Sequence, residues 1–456
     1  MGESLNNQLA IDPTCRIEFG PGRLTHLPEL ISSLGMDRAF VVTDRGLRAA
    51  GIVDQVLKVL DAAGVEHGVY DEVGANPSTG NVDEGAARAR AFGPAVVVAL
   101  GGGSVLDAAK GISLLVGNAD AAAADADALW AALDGLPLIA IPTTSGTGAE
   151  TNGFGVIEDT AACRKVYLGH PSVKPRIALL DPELTLGLPA RITAATGIDA
   201  LVHGIESLAS RGANPVSVAY ATQAVAMVGR WLPVAHRDGS DLEARAQLML
   251  GAHLAGQALT ISGLGLVHGI GHALTAHTGT PHGIALAAVL EEVLEFSAPN
   301  AQEAYEQTAR ALRLAPPADG DWARAAIDAV RDISGELGIK QPLRELGVRP
   351  DLLPPIASGA LADAVTRNAP ANPRSRTSTA SSNRPSRGAR SASSSSGSVP
   401  AMVRVHARDR RRAPGDGGTA LRYSPHSRAA LHRLILEVPP RIWRPQGYHP
   451  TPGLNG

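Results

Sequence analysis

Residues 95–115, AVVVALGGGSVLDAAKGISLL, decide the fold. The apolar run 95–100 leads into Gly101-Gly102-Gly103, and Ser104 opens a pattern of helical period. A run with no polar alternation is buried on both faces, as in a parallel strand covered by helices. The glycines let a phosphate approach the backbone, and a helix N-terminus presents free N–H groups and a positive dipole end. A tight strand-to-helix turn explains the same glycines, so two readings stand at this point. Asp107 follows Ser104 by three residues, the spacing of a capping box.

The alternation of apolar runs and helical patterns continues on both sides and fills residues 1–190. AFVVTD (39–44) precedes an amphipathic stretch (51–63) in which Ile52, Val56, Leu57 and Leu60 recur at helical spacing. EHGVYDEV (66–73) is a further strand, and LIAIP (138–142) ends in Thr143-Thr144. The pattern predicts an α/β domain with a Rossmann-like parallel sheet. PTTSGTGAE (142–150) is a second Gly/Thr loop after a strand, placed to line the same crevice at the sheet's carboxyl edge. Asp44 closes AFVVTD, where a carboxylate can bind both hydroxyls of an adenosine ribose and repel a 2′-phosphate, favouring NAD over NADP. A helix cap explains Asp44 equally, and its place upstream of the glycines inverts the usual dinucleotide order.

From about Arg191 the chain turns Ala- and Leu-rich with helical periodicity, predicting an all-α domain over 191–373. In GIDALVHGIE (197–206), Asp199 and His203 are four apart and share a helical face. In GLVHGIGHALTAHTGTPHG (265–283), His268 and His272 are four apart, with His277 and His282 following. Five of the 14 histidines thus fall in two short segments. A lone buried histidine is usually structural, but several imidazoles with a carboxylate suit a divalent first-row metal such as Fe or Zn.

Composition narrows the remaining classes. With 456 residues, 44% hydrophobic and 3% aromatic, the chain has core enough for two or three domains. Two cysteines exclude a disulfide framework or a Cys-based zinc cluster and fit a reducing compartment. The N-terminus lacks a signal-peptide pattern, and the most apolar stretch (95–116) is broken by glycines, Asp107 and Lys110. A cytoplasmic protein is expected, with no membrane partner.

Taken together, GGGSVLDAAK (101–110), IPTTSGTGAE (141–150), ATGIDALVHGIE (195–206) and GLGLVHGIGHALTAHTGTPHG (263–283) resemble, in order and spacing, the iron-containing (group III) alcohol dehydrogenases. The likeness covers about 10–370 and implies the dehydroquinate synthase-like architecture, an α/β NAD-binding domain followed by an all-α metal-binding domain. Matched by motif, Asp199, His203, His268 and His282 would hold one Fe²⁺ or Zn²⁺, and His272 would help move the proton. Gly101, Gly102, Gly103, Ser104 and Asp107, with Thr143 and Thr144, match the cofactor-binding segments, and Asp44 the position that selects NAD. The resemblance implies a homodimeric NAD-linked alcohol dehydrogenase, with a glycerol or polyol dehydrogenase or a hydroxyacid–oxoacid transhydrogenase as alternatives on the same fold. There are two departures near the site. Thr275 stands where the family usually has Gly, and His277, with no fixed family role, reads as pocket-lining or solvated.

The C-terminus is a different polypeptide. From Arg374 onward there are 15 Arg, no Lys and three acids, a charge of +12, against 26 basic and 41 acidic residues before it. Eleven serines in 374–398 predict disorder. SRAALHRLILEV (427–438) has helical spacing and no assigned function. A frameshift in a GC-rich gene accounts for such a composition better than a basic arm for nucleic acid, which would want more aromatic platforms than Tyr423, Trp443 and Tyr448.

Overall fold

The computed structural model describes residues 15–161 and 164–370. Cys163, the Arg/Ser/Pro-rich segment and the 427–438 stretch lie outside the described residues. The chain forms β1 (Arg16–Phe19), β2 (Arg38–Val42), β3 (Glu66–Tyr70), β4 (Val96–Gly101), β5 (Leu138–Pro142), β6 (Phe154–Asp159), β7 (Arg164–Gly169) and β8 (Ile177–Leu180). Six of these make one sheet in the order β1-β8-β5-β4-β2-β3, and every pairing in it is parallel. β6 and β7 form a separate antiparallel hairpin.

The apolar run that announced the fold is divided between two cores by the period of two. Val96, Val98 and Leu100 pack with Val41, Ile139 and Leu60 on one face, while Val97 and Ala99 pack with Phe40, Ala140 and Ile112 on the other. The first face is covered by α1 (Leu27–Ser33) and α3 (Ile52–Ala62), which follows the short α2 (Arg45–Ala49). The second is covered by α4 (Thr79–Phe92) and α5 (Gly103–Gly117), with the short α6 (Ala126–Leu129) beside them.

Four strands lie outside the segments that the sequence pattern marks. β1 carries two charges in four residues because it is an edge strand, where Arg16 and Glu18 pair with each other. β8 is an apolar run of only four residues, and the β6–β7 hairpin gathers its charges, Glu158, Asp159, Arg164 and Lys165, at its turn end.

The chain runs from β2 outward to β3, then crosses back to β4 on the opposite side of β2. The carboxyl ends of β2 and β4 therefore flank the switch point where strand order reverses, the place at which open parallel sheets bind ligands.

The second half is helical: α7 (Ala190–Ala209), α8 (Pro215–Arg237), α9 (Leu242–Ser262), α10 (Leu266–Thr278), α11 (His282–Ser297), α12 (Gln302–Ala311), α13 (Trp322–Leu337) and α14 (Leu353–Ala362). They share one core that includes Ile198, Leu201, Val228, Leu286 and Ile356. Among the described residues, no single helix is long and apolar enough to cross a membrane.

Candidate active site

Helical spacing puts Asp199, His203 and Glu206 on one face of α7, and α10 supplies His268 and His272. His282 is the first residue of α11. The start of α11 abuts α7 so closely that a Cβ on Gly283 would lie 2.1 Å from the Ala195 carbonyl oxygen. Only glycine permits that approach, and it carries His282 to Asp199.

Around Asp199 Oδ1 the structure gathers His203 Nε2 at 3.2 Å, His268 Nε2 at 3.3 Å and His282 Nε2 at 3.5 Å. The His203 and His268 rings stack with centroids 4.7 Å apart. Metal–nitrogen and metal–oxygen bonds of about 2.0–2.2 Å set neighbouring donors about 3–3.5 Å apart around one ion. The ligand atoms of Asp199, His268 and His282 lie within 4.8 Å of one another, a set that fits a divalent first-row metal, and His203 Nε2 approaches the same carboxylate oxygen.

Burial would push the Asp199 carboxyl up, but His203, His268 and His282 hold it well below its ordinary value. Burial lowers His203 to about 3 and also lowers His282, which keeps both imidazoles in the neutral form a metal requires. His268 moves the other way, to about 9. Burial opposes its charge, but hydrogen bonds to Asp199 and Glu206 outweigh that.

Glu206 was not singled out from the sequence, although its position three residues after His203 continues the same helical face. Buried, it accepts from His268 Nδ1 at 2.7 Å, from Gly265 N at 3.0 Å and from Val267 N at 2.7 Å. It thus caps the start of α10 and turns His268 Nε2 toward Asp199 with one carboxylate. His272 stands beside the cluster rather than in it. Its ring stacks on His282, with centroids 5.2 Å apart, and its Nδ1 donates to Asp363 Oδ2 at 2.8 Å. His277 is exposed, the solvated half of its two readings, while Thr275 is buried with a hydroxyl that has no hydrogen-bond partner.

The sheet's rim is built from backbone. α5 begins at Gly103, with an extended Gly102 at its N-cap and no side-chain cap, so its first amides face outward unsatisfied by protein. The capping box between Ser104 and Asp107 does not form. The helix starts two residues earlier than that spacing assumes, and Ser104 instead donates to the Ala75 carbonyl. Asp107 turns to the β6–β7 hairpin, accepting from Val156 N at 3.0 Å and from Lys110 Nζ at 3.4 Å. Burial pushes the Asp107 carboxyl up and the Lys110 ammonium down.

The two Gly/Thr loops pack on each other. Thr143 N donates to Gly101 O at 3.0 Å, and a Cβ on Gly102 would lie 3.4 Å from the Thr144 side chain. A Cβ on Gly103 would lie 2.6 Å from that of Thr147. Asp44 caps α2, its Oδ1 accepting from Leu47 N at 2.9 Å, so the capping role is realised. Because Val42 pairs with Ala99, Asp44 and Gly101 lie two residues further along neighbouring strands. The sheet thus restores a neighbourhood that chain order conceals.

A glycine-rich crevice at a sheet's switch point, facing a helical domain that clusters three imidazoles on one carboxylate, defines the class of metal-dependent dehydrogenases. The chain belongs to the iron-containing alcohol dehydrogenase family. The model for iron-containing alcohol dehydrogenase matches residues 13–182, and that for the family's C-terminal domain matches 193–380. The chain is 38% identical over 351 residues to the probable alcohol dehydrogenase EutG of Escherichia coli strain K12, covering 77% of this chain and 88% of that one. A crystal structure of 1,3-propanediol oxidoreductase superimposes with a TM-score of 0.75 at 33% identity, covering 80% of this chain and 96% of the other. Sulfoacetaldehyde reductase from Bifidobacterium kashiwanohense in complex with NAD⁺ gives a TM-score of 0.74 at 27% identity, covering 80% and 95%. The protein is accordingly an enzyme, a metal-dependent, NAD-linked oxidoreductase interconverting alcohols and carbonyl compounds.

Proposed function

We propose that the chain oxidises a small primary alcohol or diol, or reduces the corresponding aldehyde, with NAD rather than NADP and with Fe²⁺ held by Asp199, His203, His268 and His282. The observation that carries this reading is the convergence of three Nε2 atoms on Asp199 Oδ1 within 3.5 Å. Zinc fits the same donors, and the family favours iron. The substrate class is supported by relatives named for alcohol and 1,3-propanediol oxidoreduction. The domain division at 190/191, a homodimer and a cytoplasmic location belong to the same reading.

A bound divalent ion supplies Lewis acidity to the substrate oxygen, and the nicotinamide exchanges the hydride. The outward amides at Gly102, Gly103 and Ser104 bind the pyrophosphate, with Thr143 and Thr144 lining the adjoining crevice. The Asp44 oxygen not engaged by Leu47 N binds the adenosine ribose. Asp107 contributes by fixing the hairpin against α5. In oxidation, His272 Nε2 takes the alcohol proton while the hydride leaves carbon, and in reduction it returns that proton.

The test is NADH formation with a panel of primary alcohols and diols on metal-free protein, then with Fe²⁺ under anaerobic conditions, then with Zn²⁺. Metal-dependent turnover supports the reading, and the better metal identifies the ion. Oxidation confined to glycerol and longer polyols would replace it with the polyol dehydrogenase. Turnover between a hydroxyacid and an oxoacid without added NAD would replace it with the transhydrogenase.

A further inference from the structure

We propose that Asp363, steadied by Tyr167, positions His272 for proton transfer. The inference rests on the reading that His272 carries the substrate proton. Asp363 stands immediately after α14, and its Oδ2 accepts from His272 Nδ1 at 2.8 Å. Its Oδ1 accepts from the Tyr167 hydroxyl and from Val365 N, each at 3.1 Å. Tyr167 belongs to β7, so this set of hydrogen bonds crosses from the α/β domain to the helical one. The His272 and Asp363 side chains are 16% and 12% exposed, so water competes weakly for these bonds.

A neutral imidazole has one N–H, and a carboxylate at Nδ1 draws it there. Nε2 is then the lone pair left to receive a proton. The same hydrogen bond fixes the ring plane, which lies 24° from that of His282. Burial and the adjacent carboxylate push the Tyr167 phenol up, so it stays a donor. Burial alone would raise Asp363, but the hydrogen bond from His272 holds its carboxyl below the ordinary value and keeps it an acceptor.

A purely structural role for Asp363 also has support, since the bond from Val365 N closes a turn after α14. Four iron-loaded full-length variants separate the two roles: Asp363→Asn, Tyr167→Phe, His272→Ala and the Asp363→Asn/His272→Ala pair. Kinetics, iron content and Tm are measured on each, and the His272 tautomer is read on zinc-loaded protein by long-range ¹H–¹⁵N correlation. Asp363→Asn should lower kcat about tenfold or more, with the KM for NAD and the iron content within about twofold of the parent. Tyr167→Phe should act in the same direction, by about two- to fivefold. In the His272→Ala background Asp363→Asn should have no further effect, because it acts through that ring. The parent should carry the His272 proton on Nδ1, and Asp363→Asn should shift it.

Unchanged kcat, an unchanged tautomer, or an equal loss in both backgrounds would overturn the inference. If Asp363→Asn folds poorly, Tyr167→Phe and its pair with His272→Ala decide by the same criteria. A parent that oxidises no alcohol would sink the functional reading alone, because the tautomer is read without turnover.

Discussion

The two rims of the cleft are made of different materials. On the sheet side the reactive surface is main chain: Gly101 to Gly103, the first amides of α5, and a threonine loop packed against them. On the helical side it is side chains, one carboxylate and three imidazoles projected from α7, α10 and α11. A backbone site is damaged by adding atoms, a side-chain site by removing them. The contrast also ranks the expected losses.

Removal on the helical side should cost most. His268→Ala takes away one of the proposed metal ligands and the imidazole donor to Glu206 together, leaving that buried carboxylate without its imidazole. Iron content after dialysis should fall to background and kcat/KM by at least about 10³-fold, since several kcal/mol of charge stabilisation go with the ion. NAD binding, measured by quenching of protein fluorescence, should stay within about threefold, because the other rim is untouched. Loss of NAD affinity equal to the loss of iron would break the separation between the rims.

Addition on the sheet side should give the mirror result. A Cβ at Gly103 would stand 2.6 Å from Thr147, and the branches of a valine would crowd the amides further. Gly103→Val should therefore weaken NAD binding by about 10²-fold, or about 2.7 kcal/mol, while iron content is retained. A Gly103→Val protein that binds NAD normally would mean that the pyrophosphate lies elsewhere on the sheet edge.

Glu206→Gln tests whether the helical rim depends on more than its direct donors. Glutamine can keep one acceptor for the α10 amides but loses the charge facing His268. Outer partners of metal-bound histidines are worth about 10–100-fold in metal affinity, so competition with a chelator should show a loss in that range. An unchanged affinity would assign Glu206 to capping α10 alone.

The same difference in material explains what could be read in advance. The parallel sheet was legible because AVVVAL and LIAIP are buried on both faces and carry no competing helical period. The helical cluster was legible because an i,i+4 spacing fixes two side chains on one face before any tertiary contact is known, as for Asp199 with His203. Glu206 followed on that face but was passed over, since its two tasks depend on where α10 begins. Asp363 could not be read at all, because it lies 91 residues from His272 and meets Tyr167 across the domains. The capping box failed for a local reason, a helix start displaced by two residues so that Gly102 is the N-cap.

Asp44 is where the two materials meet, and it gives the smallest and most discriminating prediction. One of its oxygens caps α2 through Leu47 N, and the other is assigned to the cofactor's ribose. Asparagine caps helices about as well as aspartate, whereas alanine loses about 1 kcal/mol of capping. Asp44→Asn should therefore leave Tm within about a degree while lowering the preference for NAD over NADP about tenfold, because the repulsion of a 2′-phosphate disappears. Asp44→Ala should show the same change in preference together with the stability loss. If Asp44→Asn keeps the full preference, the residue is a cap and nothing more, and discrimination must come from the shape of the crevice around the carboxyl end of β2. If preference and Tm fall together in both variants, the cap itself holds the ribose pocket, and the two roles cannot be separated by charge.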